Sequence, residues 1–531
     1  MTRFIMRFSI LAVSLTALLS CSGPPAYDLV IRNGTVVDGS GNARFEGDIA
    51  VAGGAIVAVG ELGTVKGREE LDATGLVVAP GFINIHSHAV PGDLPTAVNM
   101  LSQGVTSEII NADGGGPIDL GTQLNSLASG GLALNVGMMI GFNSVWREVV
   151  GLEERRPSAS EIQAMQSLIL SGLQSGAWGV SAGLDYVPGY YATTEEVIEI
   201  LSPFSDWGVV FANHDRLTPE SNFSSIAGMS ETLAIGEASG LIPLITHMKV
   251  QGWEQGSAAT ILGRMATTST SFTGGAVADV YPYLAGQIGL QSLIIPAWAQ
   301  AGGREAMLAR FSDPGQRQQI IEEAERAMQL RFGGYEGVYL LLSQLELSAA
   351  MQELGLDSPG ETVIQLLEET GQAIIARFGL EADLIEIMQH PTASIACDCG
   401  ASTSEQIHPR YWGSFPKVLG EFVREKGIMS LEQAVHKMTG LPAKTIGMTD
   451  RGLLRPGAIA DITVFDPDRV SDHATYDNPV LMSEGIIYTL VNGGVAWRNG
   501  AATGASSGQV LRRDTPRSVN RLAVTGLTPE Q

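Results

Sequence analysis

Ala79-Pro80-Gly81-Phe82-Ile83-Asn84-Ile85-His86-Ser87-His88 decides the reading of this chain. A Pro-Gly turn opens a short apolar run that ends in two histidines spaced i, i+2. In an extended strand such residues point the same way, so both imidazoles leave the strand end on one face, as a shared metal ion requires. An HxH pair alone is also compatible with two ordinary histidines. The rest of the chain supplies the context. His214 ends the run Phe211-Ala212-Asn213-His214, His247 ends Ile245-Thr246-His247, and Asp398 follows Ser394-Ile395-Ala396-Cys397. The chain has 8 histidines, and His86, His88, His214 and His247 all fall at the C-terminal ends of apolar runs. Chance placement would scatter them.

Eight such runs alternate with helical periodicity: Phe82–His86, Val105–Asn111, Ala133–Phe142, Trp178–Leu184, Val209–His214, Pro243–Val250, Ala276–Tyr281 and Ala393–Cys397. The gaps read as helices at Glu161–Gln174, Glu195–Phe204 and Ser230–Ser239, and Thr193-Thr194-Glu195-Glu196 supplies a capping box. The pattern predicts an α/β fold, a (β/α)8 TIM-type barrel over residues 81–440 with its chemistry at the strand C-termini. More than 100 residues separate the seventh and eighth runs. Of these, 298–388 read as a helical insertion on the catalytic face, in the position of a substrate cover. Gly-punctuated β-rich runs flank the barrel at 27–80 and 441–500, and they predict a small β-sandwich built from both ends of the chain. Residues 501–531 lack periodicity and read as a loose tail.

The 531 residues carry 32 Lys plus Arg against 56 Asp plus Glu, a net charge of −24. This excess argues against nucleic acid or an anionic lipid surface as a broad partner. Three cysteines, Cys21, Cys397 and Cys399, are too few for a disulfide framework. Arg3 and Arg7 precede an apolar stretch from Phe8 to Leu19, followed by Ser20 and Cys21, a signal-peptide pattern over residues 1–20. Leu18-Leu19-Ser20-Cys21 resembles a bacterial lipobox, which implies lipidation of Cys21; an ordinary secretory peptide with an incidental cysteine is the alternative. Ser22 after the cysteine then implies an outer-membrane lipoprotein facing the periplasm, held to the membrane only by its lipid.

The ligand order HxH on strand one, His on strands five and six, and Asp on strand eight resembles that of the amidohydrolase superfamily. Val280-Tyr281-Pro282-Tyr283, Gly183-Leu184-Asp185-Tyr186-Val187-Pro188-Gly189 and His408-Pro409-Arg410 with Gly413-Ser414-Phe415-Pro416-Lys417 resemble its D-aminoacylase (N-acyl-D-amino-acid deacylase) branch. The resemblance covers about residues 27–500. It implies zinc, as one or two divalent ions, on His86, His88, His214, His247 and Asp398. Many superfamily members bridge two metals with a carboxylated lysine on strand four, but no lysine lies between Lys66 and Lys249. The branch uses a cysteine after strand two instead; here Asn111-Ala112-Asp113-Gly114 puts Asp113 at that place, with Glu108 and Asp185 as weaker substitutes. A carboxylate bridges metals readily.

The resemblance also implies the chemistry. Metal lowers the pKa of its water toward about 7, and Asp398 takes the water's proton and passes it to the leaving nitrogen. Lys249, Tyr283 and Arg410 hold the α-carboxylate of the small-molecule substrate, with Tyr191 or Tyr186 as a further donor. Cys397 and Cys399 flank Asp398 and, in an extended strand, face away from it as structural thiols; a disulfide and unwanted metal ligation are the other readings. The expected activity is hydrolysis of the amide of an N-acyl-D-amino acid or of a dipeptide with a C-terminal D-residue. A cyclic amidase of the dihydroorotase or hydantoinase type and a non-catalytic solute-binding lipoprotein are the rivals. The missing strand-four lysine counts against the first, and the presence of Asp398 against the second.

Overall fold

The computed structural model describes residues 27–270 and 275–514. The signal-peptide run and Cys21 lie outside the described residues. The chain starts with β1 (Tyr27–Val36), β2 (Phe45–Ala52), β3 (Ala55–Gly60), β4 (Gly67–Asp72) and β5 (Val77–Pro80). A turn at Gly81 then leads into β6 (Phe82–Asn84), followed by β7 (Val105–Ile110), β8 (Asn135–Met138), β9 (Ile140–Gly141), β10 (Gly179–Gly183), β11 (Val210–His214), β12 (Ile242–Ile245) and β13 (Val277–Val280). Helices separate most of these strands, and almost every residue in them is buried, as expected of parallel strands covered on both faces.

Between β13 and the next strand of this set lies the insertion. It is not purely helical, as the sequence suggested: β14 (Ala285–Gly289), β15 (Val338–Leu340), β16 (Leu345–Glu346) and β17 (Ala373–Arg377) form a four-stranded sheet of their own among its helices. These strands have two to five residues, and two of the five in Ala-Gly-Gln-Ile-Gly are glycine, too little length for a period-two signal to stand out. Their apolar faces join Ile320, Met328, Val363 and Leu367 in a separate core cluster.

The chain re-enters the parallel set with β18 (Ala393–Ile395). β6, β7 and β8 pair in parallel, and β9, β10, β11, β12, β13 and β18 pair in parallel in that order. β8 and β9 are consecutive, broken only at Met139, and a parallel bridge between Ser87 and Cys399 links the chain just after β6 to the chain just after β18.

β19 (Ile462–Phe465), β20 (Ile486–Val491), β21 (Gly494–Arg498) and β22 (Ala501–Ala502) close the fold. β19 pairs antiparallel with β5, so the two ends of the chain share one nine-stranded sheet. The tail is not loose as far as residue 514. Val510 bridges Val136, Leu511 donates its N–H to the Val136 carbonyl, and Trp178 Nε1 donates to the Leu511 carbonyl. Only two adjacent apolar residues, Val510 and Leu511, anchor this stretch, too few for a period to show.

Candidate metal centre

The side chains expected to act as ligands leave the C-terminal ends of β6, β7, β11, β12 and β18. His86 and His88 follow β6, Asp113 follows β7, His214 ends β11, His247 follows β12 and Asp398 follows β18. Asp113, His247 and Asp398 all have positive φ, at 51, 34 and 48°. Non-glycine residues rarely adopt this region, and such strain concentrates at functional sites where the surroundings enforce it.

Asp113 is central. Its Oδ1 lies 3.4 Å from His86 Nε2 and 3.8 Å from His247 Nε2; its Oδ2 lies 3.4 Å from His88 Nε2 and 3.9 Å from His214 Nδ1. Asp398 Oδ1 is 3.1 Å from His88 Nε2 and 3.5 Å from His86 Nε2. Two ligand groups result, His86, His88, Asp113 and Asp398 on one side and Asp113, His214 and His247 on the other, with Asp113 common to both. His86 Nε2 and Asp113 Oδ1 are buried and have no hydrogen-bond partner among the described residues. Such atoms are costly unless something else satisfies them. With His214 Nδ1 only 2.7 Å from His247 Nε2, a nitrogen and carboxylate donor set converging on one point fits divalent metal.

Carboxylates and burial compete over the charge of each ligand. Burial disfavours a charged His86, but Asp279 and Asp113 outweigh it and raise its pKa well above the ordinary value. Burial likewise opposes the Asp113 carboxylate, and the facing histidines, His86 foremost, hold its pKa well below the usual range. Burial, with His214 and Lys249 nearby, pushes His247 down to about 4, so its imidazole is a neutral ligand at pH 7. Asp279 is a residue the sequence reading missed. It accepts from the His247 N–H at 2.7 Å and lies 3.3 Å from His86 Nδ1, the orienting contact that ligating histidines need. A charged residue inside the buried run Val-Ala-Asp-Val was the available signal.

Glu108 does not face the centre. Its carboxylate accepts from Ser87 Oγ, Asn84 Nδ2 and the Ala401 N–H, tying β6, β7 and the loop after β18 together below the ligands. Asp185 comes within 3.7 Å of His214 Nε2 but is held by Arg331, from the insertion helix Pro314–Phe332, at 2.7 and 3.0 Å.

A cavity of about 420 Å³ opens over the centre, lined by His88, Asp113, His214, His247 and Asp398 and roofed by Ile288, Leu293 and Phe378 from the insertion. Lys249 and Arg410 both reach it. Lys249 donates to the His247 carbonyl and lies 3.7 Å over the Tyr281 ring; burial lowers its pKa to about 7. Arg410 donates to Asp398 Oδ2 at 2.6 Å.

The structure does not bring Tyr283 or Tyr191 to this cavity. The Tyr283 hydroxyl donates to Asp472 and the Tyr191 hydroxyl to the Ala297 carbonyl, 2.8 Å away. Residues two apart in Tyr281-Pro282-Tyr283 diverge because β13 ends at Val280, so extended alternation no longer applies. Tyr281 and Tyr186 line the cavity in their place, and the Tyr186 hydroxyl lies 2.7 Å from His214 Nδ1. Cys397 and Cys399 are not separate structural thiols but form a disulfide. β18 stops at Ile395 and Asp398 takes a left-handed turn, so the flanking Cα atoms approach to 4.9 Å and the thiols meet.

Comparison with known proteins agrees with this geometry. The model of the family described as "Amidohydrolase family" matches residues 297–496. A D-aminoacylase of Alcaligenes xylosoxydans xylosoxydans is 31% identical, covering 93% of this chain and 99% of the relative. An N-acyl-D-aspartate deacylase of the same organism is 32% identical, covering 92% and 95%. Among solved structures, an N-acyl-D-glutamate deacylase of Bordetella bronchiseptica, complexed with zinc and a phosphonate mimic of the tetrahedral intermediate, superposes with a TM-score of 0.77 at 29% identity, covering 92% of this chain and 100% of that one.

Proposed function

Because the chain belongs to the D-aminoacylase branch of the amidohydrolase family, we propose that its metal centre hydrolyses the amide bond of N-acyl-D-amino acids. The observation that carries this reading is Asp113 shared between two ligand groups under a cavity that also presents Lys249 and Arg410. A dipeptide with a C-terminal D-residue has the same amide and α-carboxylate and falls in the same substrate class.

His86, His88, Asp113, His214, His247 and Asp398 are the residues to hold one or two zinc ions. Zinc bound there supplies Lewis acidity to the scissile carbonyl and acidifies water. The protein's own groups do the rest. Asp398 accepts the water's proton at a carboxylate whose pKa Arg410 holds low against burial, and it returns that proton to the leaving nitrogen. Lys249 and Arg410 take the substrate's α-carboxylate, a charge-assisted contact. Ile288, Leu293 and Phe378 add an apolar wall to the cavity.

The closed succession of parallel neighbours from β6 to β18 supports a (β/α)8 barrel, and the nine-stranded sheet around Leu29, Ile31, Ile49, Ile462 and Val464 supports a sandwich built from both chain ends. The run Phe8–Leu19 and Ser20-Cys21 support export with lipid on Cys21 at the periplasmic face of the outer membrane. Labelling with radioactive palmitate in a Gram-negative host, lost in Cys21→Ser, tests the anchor. The activity is tested by screening N-acyl-D- against N-acyl-L-amino acids and L,D-dipeptides, with metal analysis on the same sample. Turnover confined to L-substrates, or full turnover without metal, refutes the reading.

A further inference from the structure

Three non-histidine cations line the cavity over the metal centre: Lys249, Arg410 and Arg331. The first two stand after β12 and β18, on the side assigned to the α-carboxylate. Arg331 comes from the other side, out of the last turn of Pro314–Phe332, and is buried. Its charge is already matched. Nη1 donates to Asp185 Oδ2 at 2.7 Å, and Nη2 donates to Asp185 Oδ1 at 3.0 Å and to the Leu217 carbonyl at 2.9 Å. The Leu217 N–H fixes Asp185 from behind at 2.9 Å, and the guanidinium lies 4.7 Å over the Phe223 ring. Arginine and carboxylate so arranged form a locked, neutral unit.

We infer that the Asp185–Arg331 pair sets the charge selectivity of the cavity, admitting a ligand with one carboxylate and rejecting a second. The inference rests on the function proposed above and narrows it to N-acyl-D-amino acids with uncharged side chains. A substrate side-chain carboxylate entering here meets the apolar Ile288, Leu293 and Phe378 and an arginine whose charge Asp185 already neutralises. Burying an unmatched charge is far more costly than burying a carboxamide of the same shape. Asp185 therefore acts as a mask, and Arg331 is an anion site that the mask keeps closed.

D-Glutamine and D-glutamate differ in this charge and hardly in shape, so the ratio of their N-acetyl derivatives isolates the effect. With the metal-loaded full protein, kcat/KM for N-acetyl-D-glutamine should exceed that for N-acetyl-D-glutamate by about 100-fold. Asp185→Asn unmasks Arg331 and should lower the ratio by about tenfold or more. Arg331→Met alone leaves Asp185 unpaired and should raise it. Asp185 lies 3.7 Å from His214, so either change can slow both substrates, but the ratio cancels a common loss. A wild-type ratio near one, or a ratio unmoved in both variants, overturns the inference while leaving the proposed function standing. No turnover of either compound by the wild type overturns the inference, because an uncharged side chain is then refused as well; the D- against L-substrate screen decides the proposed function separately.

Discussion

Arg410 donates through Nη1 to Oδ2 of Asp398 at 2.6 Å, so the cation assigned to the substrate is also the partner of the base. The pair explains how a carboxylate buried among histidines stays ionised. Asp398→Asn keeps the size and one ligating oxygen but cannot take that proton. We expect kcat to fall about a thousandfold while metal content holds, read by steady-state kinetics and elemental analysis on one preparation. An unchanged kcat would remove Asp398 from the base role.

Asp113 stands where related enzymes of the branch are expected to carry a thiolate, and it touches both ligand groups. Asp113→Ala should therefore cost metal at both groups and not at one. Asp113→Cys restores a soft anionic ligand at the same place and should recover most of the metal. Elemental analysis after dialysis decides: full metal content in the alanine variant would show that Asp113 is not a ligand.

The carboxylate clamp separates two residues that the sequence treats alike. Arg410→Ala should raise KM for N-acyl-D-amino acids by about tenfold or more, and by less for their amides, because a charge-assisted contact is lost only with the free acid. Tyr283→Phe should leave both values within about twofold, since its hydroxyl faces Asp472 outside the cavity and such substitutions seldom matter. Equal losses on acid and amide in the arginine variant would take Arg410 out of the clamp.

What was legible follows from the physics of each feature. Parallel strands buried on both faces read as uninterrupted apolar runs, so His86, His88, His214, His247 and Asp398 could be placed at strand ends from sequence. Lys249 and Arg410 followed from their neighbours in the chain. Tyr283 and Tyr191 were expected at the site from the resemblance alone; both lie in turns beyond a strand end, where the chain carries their hydroxyls to Asp472 and the Ala297 carbonyl instead. The Asp185–Arg331 pair was invisible because 146 residues and a whole insertion separate its members. The disulfide was among the open readings but not the favoured one, because the left-handed backbone at Asp398 that brings the thiols together follows from tertiary packing, and no local propensity announces it.

Glu108 gives the stability its own pH dependence. Fully buried, the carboxyl is pushed from its ordinary 4.5 to about 7, chiefly by desolvation, against opposing hydrogen bonds from Ser87, Ala401 and Asn84. A carboxyl whose folded pKa is raised binds its proton more tightly in the folded state. Its contribution is therefore fully present below pH 4.5 and is lost as pH rises through about 7. The difference of 7 − 4.5 pKa units corresponds to about 3 kcal/mol at the upper end of the window. Glu108→Gln has no proton to lose, so denaturant unfolding followed from pH 4.5 to 7.5 should show a shallower decline than the wild type. Parallel curves for the two proteins would mean that Glu108 is ionised throughout, with its three donors outweighing its burial.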